Sequence, residues 1–263
     1  MIKALKNARG ITADASGTLY VSVGEPDMQV VAFNTKGPST GSGQAKETGR
    51  FGRKGGHARI GAWQPDGMID PAGIAVDKEG KLWVMEHYAH PKRVSVWNLK
   101  DGALVRDFFG PTQYGASGAA IDPRDPNLMV GVGCEWRLDP VTGKSVCLGA
   151  FDNTYHEFAT FREGSNGKLY LFTLKMRYGI GSVQVWERRG DAKYVLCAEI
   201  RNDRGGSDNN KPGTTEVWVD LNGDGKEQPE EVQRRDGALH FDGSNSWSLN
   251  LGPESAWFPA SEK

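Results

Sequence analysis

Cysteine, net charge and long apolar runs are all scarce in this chain. Three cysteines in 263 residues, Cys134, Cys147 and Cys197, are too few for a disulfide scaffold, and the odd count leaves at least one without an internal partner. Composition therefore leaves the redox compartment open. Lys and Arg (32) nearly balance Asp and Glu (33). With no basic arm or acidic tail, the broad electrostatic footprint of a nucleic-acid binder is excluded. No apolar run approaches the roughly 18 residues of a membrane span. Met1 to Ala8 carries Lys3 and Lys6 without an apolar stretch after them, and does not read as a signal peptide. Helical periodicity is missing almost everywhere. Gly52 to Gly56 lacks the spacing of a phosphate loop, and no Cys-x-x-Cys pair occurs.

What the chain has in abundance is glycine, 35 residues, with eight tryptophans and many short Val/Leu/Tyr runs. The glycine share is about twice the usual roughly 7%, and the whole has the composition of many strands joined by tight turns. A strand signature recurs as Leu19-Tyr20-Val21, Leu82-Trp83-Val84, Leu128-Met129-Val130, Leu169-Tyr170-Leu171 and Val217-Trp218-Val219, at spacings of 63, 46, 41 and 48 residues. Periods of about 40–50 residues suggest propeller blades of several strands each. The long first interval contains residues 37–70, a stretch with nine glycines that reads as an inserted surface loop.

The flanks of the signature repeat as well. Gly10 to Asp14, Gly73 to Asp77 and Gly118 to Asp122 precede the first three copies, and each Asp is followed by a turn. Further strands follow at Val30 to Asn34, Val94 to Asn98 and Val183 to Trp186. The best copy runs from Pro71 to Trp97, with Arg93 in register. Over residues 8–200 this pattern resembles the NHL repeat, whose relatives include gluconolactonase-type six-bladed propellers. The resemblance implies an all-β propeller of four-stranded blades and says little about function. Five periods are visible and a six-bladed ring would want roughly another 40 residues, so residues 1–263 read as one incomplete propeller domain.

The strongest chemical motif is Asp220-Leu221-Asn222-Gly223-Asp224-Gly225-Lys226-Glu227-Gln228-Pro229-Glu230-Glu231, which satisfies D-x-[DN]-x-[DN]-G-x5-E. Calcium wants six to eight oxygens, and this spacing offers them. Asp220, Asn222 and Asp224 supply side-chain oxygens, Lys226 a backbone carbonyl, Gln228 a ligand acting through water, and Glu231 a bidentate carboxylate. Unlike an EF-hand, the loop is entered from the β-branched and aromatic Thr214 to Val219, so a strand leads into it. The expected role is structural, and a solvated Asx-rich turn without metal is the alternative.

Blade connectivity gathers equivalent loops on one face, where Glu86, His87, His90, Glu135, His156 and Arg177 are expected around a channel mouth. Imidazoles and carboxylates at such a mouth could hold a transition metal; loop histidines that merely bond backbone or face water are the plainer reading. Lys92-Arg93 and Arg188-Arg189 fall at strand ends and read as solvated. Two functions follow. One is a non-catalytic, calcium-stabilised module presenting one face to a protein or carbohydrate ligand, in an extracytoplasmic setting where millimolar calcium fills weak sites. The other is a metal-dependent hydrolase or lactonase similar to the gluconolactonase-type propellers. No nucleic-acid partner is expected, and the chain reads as a piece of a larger polypeptide.

Overall fold

The computed structural model describes residues 5–35, 45–88, 90–110, 119–131, 133–152, 156, 158–177, 180–203 and 213–237. These residues form an all-β structure of antiparallel sheets, in two compact units. The single helical element among them is a 3₁₀ turn at Pro229–Glu231, and no helix is long and apolar enough to cross a membrane.

The first unit holds two four-stranded meanders. One is β1 (Ala8–Ala13), β2 (Thr18–Val23), β3 (Gln29–Asn34) and β4 (Lys46–Phe51). After β5 (Gly61–Ala62), which belongs to the second unit, comes the other: β6 (Pro71–Val76), β7 (Lys81–Glu86), β8 (Lys92–Asn98) and β9 (Leu104–Gly110). The repeated Asp of the sequence has a mechanical task here. Asp14 Oδ1 accepts the N–H groups of Ser16 and Thr18 at 2.9 Å each, and its Oδ2 takes the Tyr20 hydroxyl at 3.1 Å. Asp77 does the same with Glu79 and Lys81 at 2.9 Å each, and with the Trp83 indole at 2.8 Å. Each carboxylate thus closes the first turn of its sheet and fixes the aromatic of the following strand, satisfying backbone donors the ladder leaves over.

Strand alternation then sorts side chains by face. Tyr20, Val30, Ala32 and Phe51 of the first sheet pack with Leu82, Val84 and Trp97 of the second, over Met68. The opposite face of the first sheet buries Val21, Val23, Val31 and Phe33. Full burial of each large side chain contributes about 1.5–3 kcal/mol. The Ser22 hydroxyl takes the Gly10 N–H at 2.9 Å and donates to the Ala72 carbonyl at 2.7 Å, tying β2 to β6.

In the second unit, β10 (Ala119–Asp122), β11 (Asp125–Gly131), β12 (Cys134–Asp139) and β13 (Lys144–Ala150) form a meander extended by β5 on β13. The other sheet has six strands: β14 (Phe158–Glu163), β15 (Leu169–Arg177), β16 (Ile180–Gly190), β17 (Lys193–Asp203), β18 (Thr214–Val219) and β19 (Val232–Asp236). Val130 and Phe151 pack with Ala159, Phe161, Leu169, Leu171 and Trp186 in the core of this unit. The Asx turn returns at Asn166, which accepts the Lys168 N–H at 3.0 Å and bonds the Tyr170 hydroxyl at 2.9 Å.

Two expectations change. The 37–70 stretch is not loop throughout, because residues 46–51 are β4, the outer strand of the first sheet. Its sequence, Lys46-Glu47-Thr48-Gly49-Arg50-Phe51, buries only Phe51, so an edge strand with one anchored side chain carries little hydrophobic signal. Val217 to Val219 does not open a fifth blade. It lies in β18, which pairs with β17 and β19 and widens the fourth sheet, so four sheets are present among the described residues. Pairing partners decided this, and the local pattern does not encode them.

Candidate metal loop and buried ion pairs

The acidic loop connects β18 to the 3₁₀ turn and β19. Asp220 Oδ1 accepts the N–H groups of Gly223 (2.8 Å) and Asp224 (3.1 Å), and Oδ2 that of Gly225 (2.9 Å). Asn222 Oδ1 takes the Asp224 N–H at 2.9 Å, and Asp224 Oδ1 takes that of Lys226 at 2.8 Å. Glu231 folds back on the loop entrance: Oε1 accepts the Leu221 N–H at 2.8 Å and Oε2 the Trp218 indole at 3.0 Å. The indole bond, joined by backbone N–H groups, holds the Glu231 carboxyl below the usual carboxylate range. Gln228 Nε2 lies 3.0 Å from Asp224 Oδ2, while Gln228 Oε1 is buried with no donor. Arg201 of β17 clamps Glu227 through two bonds of 2.6 and 2.8 Å, and Glu216 through one of 2.7 Å. The donors match calcium in type, being hard oxygens at alternating positions with one orphaned amide oxygen. The carboxylates themselves do not converge. Among the described residues no three His, Cys, Asp or Glu side chains gather as a metal centre, and the loop's acids are turned onto backbone N–H groups.

The expected mouth residues have other attachments. Glu86, at the end of β7, is buried beneath Arg93: Nη1 donates to Oε1 at 2.8 Å, and the Ile69 N–H bonds Oε2 at 2.8 Å. Arg93 is 1% exposed. It also pairs with Asp107 at 2.7 Å, donates to the carbonyls of Gly67 and Pro65, and lies over the Trp63 ring at 5.2 Å. One cation is shared by the buried Glu86 and the half-buried Asp107, and burial pushes Glu86 up to about 7 and raises Asp107. Arg93 is therefore the hub of the second sheet and not a solvated strand-end charge; its position in the repeat placed it on the inward face. His87 is exposed and its backbone N–H bonds the Asp70 carbonyl at 2.9 Å. His90 is buried, with its ring 6.0 Å from Tyr88, and Arg59 lies over Tyr88 at 4.9 Å.

In the second unit Glu135 is 0% exposed. It accepts Arg188 Nε at 2.7 Å and the Ala192 N–H, which anchors the β16–β17 hairpin to β12. Arg188, like Arg93, is thus an inward charge that its strand-end position does not reveal. His156, also buried, meets Asp152 Oδ2 through Nε2 at 2.9 Å and stacks on Phe151 at 6.0 Å. Arg177 ends β15, opposite Ile180; its side chain lies outside the described residues. Three of these side chains are held in ion pairs, Glu86 with Arg93, Glu135 with Arg188 and His156 with Asp152. Sequence reading missed Arg93, Asp107, Asp152 and Arg188 as partners. It also passed over Gly37-Pro38-Ser39-Thr40-Gly41, which has the Gly-x-Ser-x-Gly spelling of a nucleophile elbow. That pentapeptide lies outside the described residues.

No family model matches this chain, and no curated protein matches it. Among solved structures, the chain is similar to hydrazine synthase of Kuenenia stuttgartiensis at 13% identity, covering 95% of this chain and 70% of that one, with a TM-score of 0.29. It is also similar to the WD40 domain of Pan2 from Neurospora crassa at 11% identity, covering 89% of this chain and 67% of that one, with a TM-score of 0.27. These likenesses transfer no activity, and the NHL and gluconolactonase readings rest on the sequence motifs alone.

Proposed function

We propose that this chain is a non-catalytic, propeller-like binding module braced by calcium, which presents one face to a protein or carbohydrate ligand. The observation that supports it most is the 220–231 loop, in which oxygen-bearing side chains alternate along one turn and Asp220, Asn222 and Asp224 each hold loop N–H groups. Asp220, Asn222, Asp224, Lys226 through its carbonyl, Gln228 and Glu231 would hold the ion. Calcium would offset repulsion among the three carboxylates and stiffen the connection from β18 to β19. A single, strand-entered loop suits a brace better than a sensor. A site of about 10⁻⁴–10⁻³ M affinity fills where free calcium is millimolar, which favours an extracytoplasmic setting. The metal-dependent hydrolase or lactonase reading has less support, because Glu86 faces the buried Arg93, Glu135 faces the partly exposed Arg188 and His156 faces Asp152.

The test is a melting curve in excess calcium and in strong chelator, for wild type and Asp224→Ala. Binding to the folded state alone at one hundred times the dissociation constant stabilises by about 2.7 kcal/mol. At about 2–4 °C per kcal/mol for a chain of this size, the midpoint should rise by about 5–10 °C in wild type and not in the variant. Equal midpoints in calcium and chelator would remove the brace.

A further inference from the structure

We propose that His57 is an acid-sensitive latch in the first unit: neutral, it locks two arms, residues 52–57 and 63–69, over Arg93, and protonated, it releases them. The arms interlock backbone to backbone. The Arg53 N–H bonds the Asp66 carbonyl at 2.7 Å. A Cβ on Gly56 would lie 2.0 Å from the Met68 carbonyl oxygen, and one on Gly67 would lie 2.8 Å from the His57 backbone nitrogen. The second arm caps the hub, because the carbonyls of Pro65 and Gly67 accept from Arg93. His57 lies at this crossing and is 8% exposed.

Its two ring nitrogens have different surroundings. Nδ1 is 2.8 Å from the Ala58 carbonyl oxygen, which can only accept, so Nδ1 carries the proton of the neutral ring. Nε2 is then a bare acceptor, buried and without a hydrogen-bond partner. A second proton, placed on Nε2, would make a buried cation whose new N–H has nothing to donate to. The charged groups that reach the ring are Arg93 from β8, Arg53 from the first arm and Asp66 from the second. Asp66 alone favours the cation, and it is already held by Arg53 at 3.0 and 3.1 Å. Trp63 meets the imidazole at 4.2 Å between ring centroids, but it carries the Arg93 guanidinium over its ring at 5.2 Å. It therefore offers little to a second cation. Burial, with Arg93 and Arg53 behind it, holds His57 below the ordinary imidazole value of 6.5.

A histidine depressed in this way stabilises the closed arms fully above pH 6.5. That contribution is lost as pH falls, because the open form binds one proton more than the closed form. Opening frees Arg93 from the two carbonyls and uncovers Met68, which is 0% exposed in the closed arms. Glu86, pushed up to about 7, acts in the opposite sense: its contribution is lost as pH rises, so it cannot imitate opening by acid.

The experiment is amide hydrogen–deuterium exchange of the native full chain at pH 8 and pH 5, each peptide corrected for its intrinsic exchange rate. Wild type is compared with His57→Asn, whose amide can still donate to the Ala58 carbonyl and takes up no proton, and with His57→Gln as a second neutral replacement. In wild type, opening of peptides covering 52–57 and 63–69 should rise by up to about tenfold per pH unit below the histidine value, while β2 and β8 stay protected. The variants should open equally at both pH values. Equal opening of wild type at pH 8 and pH 5 would overturn the proposal, as would acid opening that persists in the variants or that extends to β2 and β8. Two-bond proton–nitrogen NMR of wild type decides the matter without a variant. His57 should hold its proton on Nδ1 at pH 8 and gain the second one together with opening; a proton on Nε2 at pH 8, or protonation with the arms still closed, overturns the latch.

Discussion

Replacing Arg93 by Met should unfold the first unit far more easily, and the loss should depend on pH. Arg93 sits with its side chain wholly buried against Glu86, itself 2% exposed, and against Asp107. Methionine fills much of the volume and removes the charge, so the defect is electrostatic. Breaking a buried pair by deleting one partner costs about 3–5 kcal/mol, because the other charge is left uncompensated. The carbonyls of Pro65 and Gly67 also lose their donor, at about 1 kcal/mol for each net hydrogen bond. Glu86 has one escape, protonation. Burial already pushes it up to about 7 beside the arginine, and without the cation it moves higher still. At pH 5 the orphaned carboxyl is neutral, and the loss shrinks toward the hydrogen bonds alone, about 1–2 kcal/mol. Guanidinium unfolding followed by tryptophan fluorescence at pH 5 and pH 8 measures both values. Adding Glu86→Gln to Arg93→Met should recover stability at pH 8 and little at pH 5. A cost below about 1 kcal/mol at pH 8, or the same cost at both pH values, would refute the account of Arg93 as the neutralising hub.

Glu86→Gln alone should flatten the pH dependence of stability. A carboxyl whose folded value is raised from 4.5 to about 7 stabilises fully below 4.5 and loses that contribution as pH rises through 7. Wild type should therefore weaken across that window relative to the variant, by about 3–4 kcal/mol at 1.36 kcal/mol per unit, in urea melts taken at half-unit steps; parallel curves would refute this. Gly133→Ala should disrupt the Asp152–His156 pair. Gly133 has a φ of +77° and its added Cβ would lie 2.3 Å from the Asp152 carbonyl oxygen, so strain of about 1–3 kcal/mol is expected. Imidazole NMR shifts of His156 in the variant report whether its partner has moved, and an unchanged spectrum contradicts the geometry.

Much of the strand plan was legible because it is local. The four copies from Leu19, Leu82, Leu128 and Leu169 all fall in the second strand of a sheet, where alternation and the preceding Asx turn act within a few residues. The site was legible only in part. The alternation of oxygen-bearing side chains over 220–231 is visible in the sequence, since every residue concerned lies within one loop. Arg93 and Arg188 read as surface charges, because charge at a strand end normally means solvent, and nothing near Glu86 or Glu135 in the chain names the arginine that will meet it.

Residue order alone dictated the four repeated second strands, the turn chemistry of Asp14, Asp77 and Asn166, and the alternation of oxygen-bearing residues from Asp220 to Glu231. Each depends on neighbours a few positions away, so backbone geometry and propensity suffice. Pairing partners were settled by folding: β18 joining β17, β4 closing the first sheet, and Arg93 turning inward to two carboxylates. These contacts join residues that are distant in sequence. Their free energy exists only once burial has removed water from both members.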